Sequence, residues 1–180
     1  MSKVSSSFLL LFSLFLLSSG TTISSNNALA KRVQKKVSKE IKSIFAVEDF
    51  ELLESKIEIP SSPFLVGQQM NEIRKGDELL GYAFLGTAPS KTDTFEYLIL
   101  FDESFTIKKA TVLIYREDYG GEIASKRWLS QFVKKQQSEA FVFGNNISAI
   151  SGATISVQSM TASVNHVFSS LKKNEIALGQ

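Results

Sequence analysis

A short run near the C-terminal end, Ser151-Gly152-Ala153-Thr154, places a hydroxyl nucleophile and two very small residues at the mouth of a long amphipathic segment. Beyond it, Val157, Met160, Val164, Val167, Phe168 and Leu171 recur in steps of three and four, which describes one apolar face of a helix. The spacing predicts Thr154 in the first turn of that helix, where backbone N–H groups lack partners and the positive end of the dipole points outward. Such an end accepts anions, phosphate above all. Gly152 and Ala153 leave a ligand free to approach the backbone closely. The same residues also read as an ordinary helix start with Ser151 or Thr154 as its N-cap.

For Thr154 to act as a catalytic nucleophile, a general base must stand within hydrogen-bond reach. The single histidine, His166, lies on the same predicted helix about 18 Å further along at the usual rise, and cannot serve. It reads instead as a partly exposed helix residue. One histidine and no cysteine supply neither a zinc ligand set nor a disulfide, thiol nucleophile or iron–sulfur ligand, so no metal site and no catalytic residue is expected. A second stretch with chemical content is Tyr115-Arg116-Glu117-Asp118-Tyr119-Gly120-Gly121-Glu122, a polar, glycine-containing loop after a hydrophobic strand. Glu117 and Asp118 could hold a hard cation, but nothing in the spacing brings further ligands to them. Tyr119 reads either as a stacking partner for a planar ligand or as an exposed turn tyrosine.

Ile150-Ser151-Gly152-Ala153-Thr154-Ile155-Ser156 resembles the flavinylation motif of the FMN-binding domain family, which includes the G subunit of Rnf and the C subunit of the Na+-translocating NADH:quinone reductase. The resemblance covers roughly Leu80 to Leu171. It implies FMN held through a phosphodiester on Thr154, with Ser151, Gly152, Ala153, Ile155 and Ser156 around it. It also implies that a separate, exported, Mg2+-dependent flavin transferase attaches the group from FAD. In the family a Glu followed by Thr-Pro-Gly-Leu-Gly borders the isoalloxazine ring. Glu117 and Gly120 match that pattern, whereas Asp118, Tyr119, Gly121 and Glu122 depart from it. The resemblance thus places Glu117 and Gly120 in a flavin-side loop, where Tyr119 could stack on the flavin and Arg116 is a candidate cation near the ring or else a surface arginine. Leu129-Ser130-Gln131-Phe132 is similar to the family's Leu-x-Gln-Phe segment. Asn145 and Asn146 stand where many members carry an Asp.

These residues must be positioned by a fold, and the patterns imply an α+β one. Gln69–Arg74 and Leu79–Gly86 flank the turn Lys75-Gly76-Asp77-Glu78, and Phe95–Asp102 and Thr106–Tyr115 flank Glu103-Ser104-Phe105. Adjacent strands with short turns predict an antiparallel meander. No dinucleotide fingerprint or phosphate loop is present. Lys31 to about Glu54 is amphipathic, with Val33, Val37, Ile41, Ile44, Phe45, Phe50 and Leu53 on one side and Lys31, Arg32, Lys35, Lys36, Lys39 and Lys42 on the other. The sheet is therefore expected to be packed by an N-terminal amphipathic helix and by a C-terminal helix starting at the motif. Ile123–Val133 reads as a short helix whose Trp128, Leu129 and Phe132 enter the core, and Phe141-Val142-Phe143 as a short strand.

Residues 1–30 read as a secretory signal peptide, with Lys3, an apolar core over Phe8–Leu17 and Ala28-Leu29-Ala30 as the cleavage pattern. Retention as an anchor is the alternative. The divisions that follow are 31–62, basic helix and connector through Pro60 and Pro63; 63–173, the FMN-binding domain; and 174–180, a frayed tail. With 20 basic against 18 acidic residues, the net charge of +2 gives no reason to expect a nucleic-acid partner. The basic helix suits an anionic membrane surface or simple solvation. The expectation is an exported flavoprotein that relays electrons between membrane-bound redox partners at the periplasmic or outer face of the cytoplasmic membrane. The alternatives are a flavin-dependent reductase of a small acceptor and a non-redox adaptor of a membrane complex.

Overall fold

The computed structural model describes residues 22–136 and 138–178, so Met1–Thr21 of the expected signal peptide lie outside the described residues. The chain divides into two compact units, Met1–Arg32 and Val33–Gln180. In the larger unit five strands, β1 (Glu51–Glu54), β2 (Gly67–Lys75), β3 (Glu78–Pro89), β4 (Thr94–Phe101) and β5 (Ile107–Ile114), form one antiparallel sheet in sequence order. The four expected strands lie within a few residues of their predicted limits. Their β-branched and aromatic residues alternate between two buried faces.

The part of helix α1 (Thr22–Phe45) from Val33 onward covers one face, where Val37 and Ile41 pack with Ile73, Ala83, Leu98 and Leu100. Helix α3 (Thr154–Leu178) covers the other through the six residues predicted for its inner face, each at most 2% exposed. That layer also takes in Phe84, Tyr97, Phe101, Trp128, Phe132 and Phe141. The buried Tyr97 hydroxyl is hydrogen-bonded to Ser163 of α3, and burial pushes its pKa well above the ordinary phenol value. No helix among the described residues is long and apolar enough to cross a membrane.

Three local expectations need correcting. The helix from Lys31 does not reach Glu54: Ala46 turns left-handed at φ 54°, and Val47 N–H reaches back to Lys42 O at 3.3 Å, a Schellman stop. Phe50 and Leu53 therefore leave the helical pattern, and Leu53 lies on the edge strand β1. Phe141–Phe143 is no strand but a segment with one isolated bridge, Phe143 to Ile147. The chain is not frayed from Asn174, because α3 continues to Leu178 and the Asn174 amide donates to Ser170 O at 2.8 Å and Glu58 O at 3.1 Å.

Candidate functional site

Helix α3 begins at Thr154. The Val157 N–H donates to Ala153 O at 2.9 Å, so the cap residue is Ala153, whose side chain has no acceptor. Neither Ser151 nor Thr154 caps the helix. The backbone N–H groups of Thr154, Ile155 and Ser156 find no acceptor among the described residues. The Thr154 side chain is exposed and its hydroxyl makes no hydrogen bond there. An anion at this end would gain about 0.3–1 kcal/mol from the dipole alone.

The turn that delivers Thr154 is fixed from two sides. Trp128 Nε1 donates to Ser148 O at 2.8 Å, and Ser148 N–H donates to Gln131 Oε1 at 2.8 Å. Both main-chain polar groups of Ser148 are thereby held by one short helical segment. That segment is not the continuous helix expected over Ile123–Val133. It is a 3-10 turn (Gly121–Ala124), a single α-turn α2 (Lys126–Leu129) capped by Ser125, and a second 3-10 turn (Ser130–Phe132). Trp128, Leu129 and Phe132 are buried as expected. On the other side, Gly120 lies against the motif at φ 75°, and a Cβ there would meet the Ala153 Cβ at 2.3 Å. Gly152, at φ 77°, approaches Tyr119 nearly as closely, with its own Cβ position 3.2 Å from the Tyr119 Cβ. The two glycines allow the 117–120 loop and the motif to touch.

Glu117 acts through the neighbouring hairpin. Its carboxylate accepts from Ser90 Oγ at 2.5 Å, Thr92 N–H at 2.7 Å, Thr92 Oγ1 at 2.8 Å and Asp93 N–H at 3.3 Å. The Ser90 hydroxyl first, and then the Thr92 and Asp93 donors, hold its pKa down at about 2. The clamp fixes the 90–93 loop, whose Lys91 lines a cleft of about 200 Å³ together with Tyr115, Glu117 and residues 152–156. Ser156 is 2% exposed and its hydroxyl pairs with Tyr115 Oη at 3.1 Å.

Across the Ser151-Gly152 turn lies a larger cleft of about 620 Å³, lined by Glu122, Ser125, Arg127, Trp128, Gln131 and residues 148–151. Its volume is that of a small-molecule site, whereas 200 Å³ suits a phosphate and part of a linker. The structure thus gathers Glu117, Gly152, Ala153, Thr154, Ile155 and Ser156 around one cleft and puts Ser151 on the other. Gly120 serves as a packing surface. Tyr119 points outward at 79% exposure and lines neither cleft. Arg116 is committed elsewhere, to Glu96 through two bonds of 2.8 and 2.9 Å and to Thr94 O at 2.8 Å. The cations at the clefts are Lys91 and Arg127, neither evident from the sequence. Lys91 is brought in by contacts more than 20 residues apart, which no local pattern encodes.

Comparison with known families gives a match over residues 91–169 to the model described as the FMN-binding domain. The matched stretch contains Lys91, Glu117 and the whole Ser151–Thr154 motif. No curated protein matches the chain.

Proposed function

We propose that this chain, whose residues 91–169 belong to the FMN-binding domain family, is an exported electron-transfer protein that holds FMN by a phosphodiester on Thr154. The observation that carries the reading is the exposed Thr154 hydroxyl, without a hydrogen bond among the described residues, at the start of a helix that has no side-chain cap. The residues suit the group. Lys91 and the three N–H groups of Thr154, Ile155 and Ser156, which have no acceptor among the described residues, would hold a phosphodiester monoanion, and the 620 Å³ cleft beside Ser151 would give space for a ring. When bound, FMN carries one or two electrons between redox partners.

Among the described residues neither candidate base suits Thr154. The Glu117 carboxylate at the same cleft is occupied by Ser90, Thr92 and Asp93 and is held at a pKa of about 2, which makes it a weak base. His166 stands further along α3, 2.7 Å from Pro60 O. Attachment therefore falls to the flavin transferase, with FAD as donor. The Thr154 oxygen displaces AMP at the FMN-side phosphorus, and the hydroxyl proton leaves with the transferase's base. The protein's part is to present the oxygen, neutralise the phosphate with Lys91 and the helix end, and exclude side reactions by holding the motif rigid through Trp128, Gln131 and Gly120. A covalent bond also keeps the cofactor from being lost outside the membrane. The signal-peptide pattern read over residues 1–30 supports export, and the lysines of α1 support peripheral contact with an anionic membrane, where we place the redox partners.

Coexpression with an active flavin transferase tests this. Flavin fluorescence should stay with the denatured protein band in wild type and vanish in Thr154→Ala. A band without fluorescence under conditions that label a known acceptor overturns the covalent reading.

A further inference from the structure

A third cleft, of about 440 Å³, opens where α1, β5 and the 124–133 segment meet. It shares no lining residue with either cleft beside Thr154, although the 124–133 segment contributes alternate residues to this cleft and to the 620 Å³ one. Four lysines line it: Lys36 from α1, Lys108 and Lys109 from β5, and Lys126 from α2. One carboxylate, Glu40, opposes them and pairs with Lys109 at 3.7 Å. Lys36 donates to Val112 O at 2.7 Å, which satisfies a hydrogen bond but leaves its charge uncompensated. Lys108 and Lys126 have no carboxylate partner among the described residues. Gathering ammonium groups in one concave site costs free energy unless an anion shares it.

The same cleft holds the Thr111 side chain. Its hydroxyl is buried, with the residue 8% exposed, and has no hydrogen-bond partner among the described residues. Most buried hydroxyls are bonded, and an orphan calls for a partner such as a water or an ion. Unpaired ammonium donors around an unsatisfied hydroxyl, in a space large enough for a small molecule, match the acceptor oxygens of a phosphate.

We propose that this cleft is a binding site for a phosphate ester, separate from the flavin site and independent of flavin loading. The phosphate belongs either to an anionic lipid headgroup or to a soluble phosphate compound. Lys108 and Lys126 supply the main attraction, Thr111 donates the directional bond, and Glu40 holds Lys109 in place and limits the net charge.

The full chain should be titrated with inorganic pyrophosphate, followed by amide chemical shifts, and separately with vesicles of phosphatidylglycerol or of phosphatidylcholine. Shifts confined to β5, α2 and the facing turn of α1, at least tenfold weaker in a Lys108→Ala/Lys126→Ala double variant, are expected. Thr111→Val should raise the melting temperature of the free protein, by removing the orphan hydroxyl, while weakening pyrophosphate several-fold. Binding to phosphatidylglycerol vesicles and not to pyrophosphate assigns the phosphate to a lipid; binding to pyrophosphate assigns it to a soluble ester. The proposal is overturned if neither probe binds, or if binding survives unchanged in the double variant. Running the same titration on Thr154→Ala keeps the question apart from flavin attachment.

Discussion

Gly120→Ala should both destabilise the domain and disturb the motif 33 residues later, because Gly120 is where the two site loops meet. The residue sits at φ 75°, and an added Cβ would lie 2.3 Å from the Ala153 Cβ and 3.0 Å from its N and Cα. Placing alanine in the left-handed region costs about 1–2 kcal/mol. Forcing a methyl against a packed backbone adds about 1–3 kcal/mol. The sum, about 2–5 kcal/mol, corresponds at this chain length to a fall in melting temperature of roughly 2–4 °C per kcal/mol. Gly121 is the internal control, since a Cβ there meets nothing within 4 Å. Thermal melts followed by circular dichroism should therefore show a large drop for Gly120→Ala and a change within about 0.5 kcal/mol for Gly121→Ala. Flavin attachment at Thr154 should fall in the first variant and persist in the second. Equal melting temperatures for the two variants would refute the claim that Gly120 sets the spacing between the loops.

Other consequences can be checked with the same preparations. Glu117→Gln should destabilise the protein near neutral pH. The folded-state pKa of Glu117, about 2, lies below its ordinary 4.5. Its contribution is therefore complete above about 4.5 and drains away as the pH falls toward 2, and the melting-temperature gap between wild type and variant should close over that window. A gap independent of pH would show that the clamp does not work through the charge. Trp128→Phe removes the bond to Ser148 O together with part of a buried ring, and should cost about 1–3 kcal/mol in urea unfolding while slowing flavin attachment. Lys91→Ala should slow attachment in a timed fluorescence assay with little effect on the melting temperature, and Lys91→Arg should restore most of the rate. An unchanged rate in Lys91→Ala would remove Lys91 from the site.

Much of the frame was legible because it rests on local periodicity. The inner face of α3 follows the 3.6-residue repeat without exception, and β2 to β5 carry the β-branched and aromatic runs that strands favour. Strand β1 was hidden because the helix before it stops at Ala46 in a conformation that usually announces itself with glycine, so Phe50 and Leu53 continued the apparent pattern. The helix expected over Ile123–Val133 was broken by a new cap at Ser125, again a local decision that apolar spacing does not reveal. At the site, the motif around Thr154 was visible because it is contiguous. Glu117 was singled out, but its partners Ser90, Thr92 and Asp93 come from another hairpin. Arg116 drew attention as a cation beside that loop, yet its two-pronged geometry fits the Glu96 carboxylate across the sheet.

The proposed attachment of flavin to Thr154 is tested most directly by the intact mass of the protein isolated from its native envelope, followed by peptide mapping. An increase equal to FMN less one water is expected, located on the peptide containing Ser151–Ser156 and absent from Thr154→Ala. An unmodified mass from cells with an active flavin transferase, or the same increase persisting in Thr154→Ala, would contradict it.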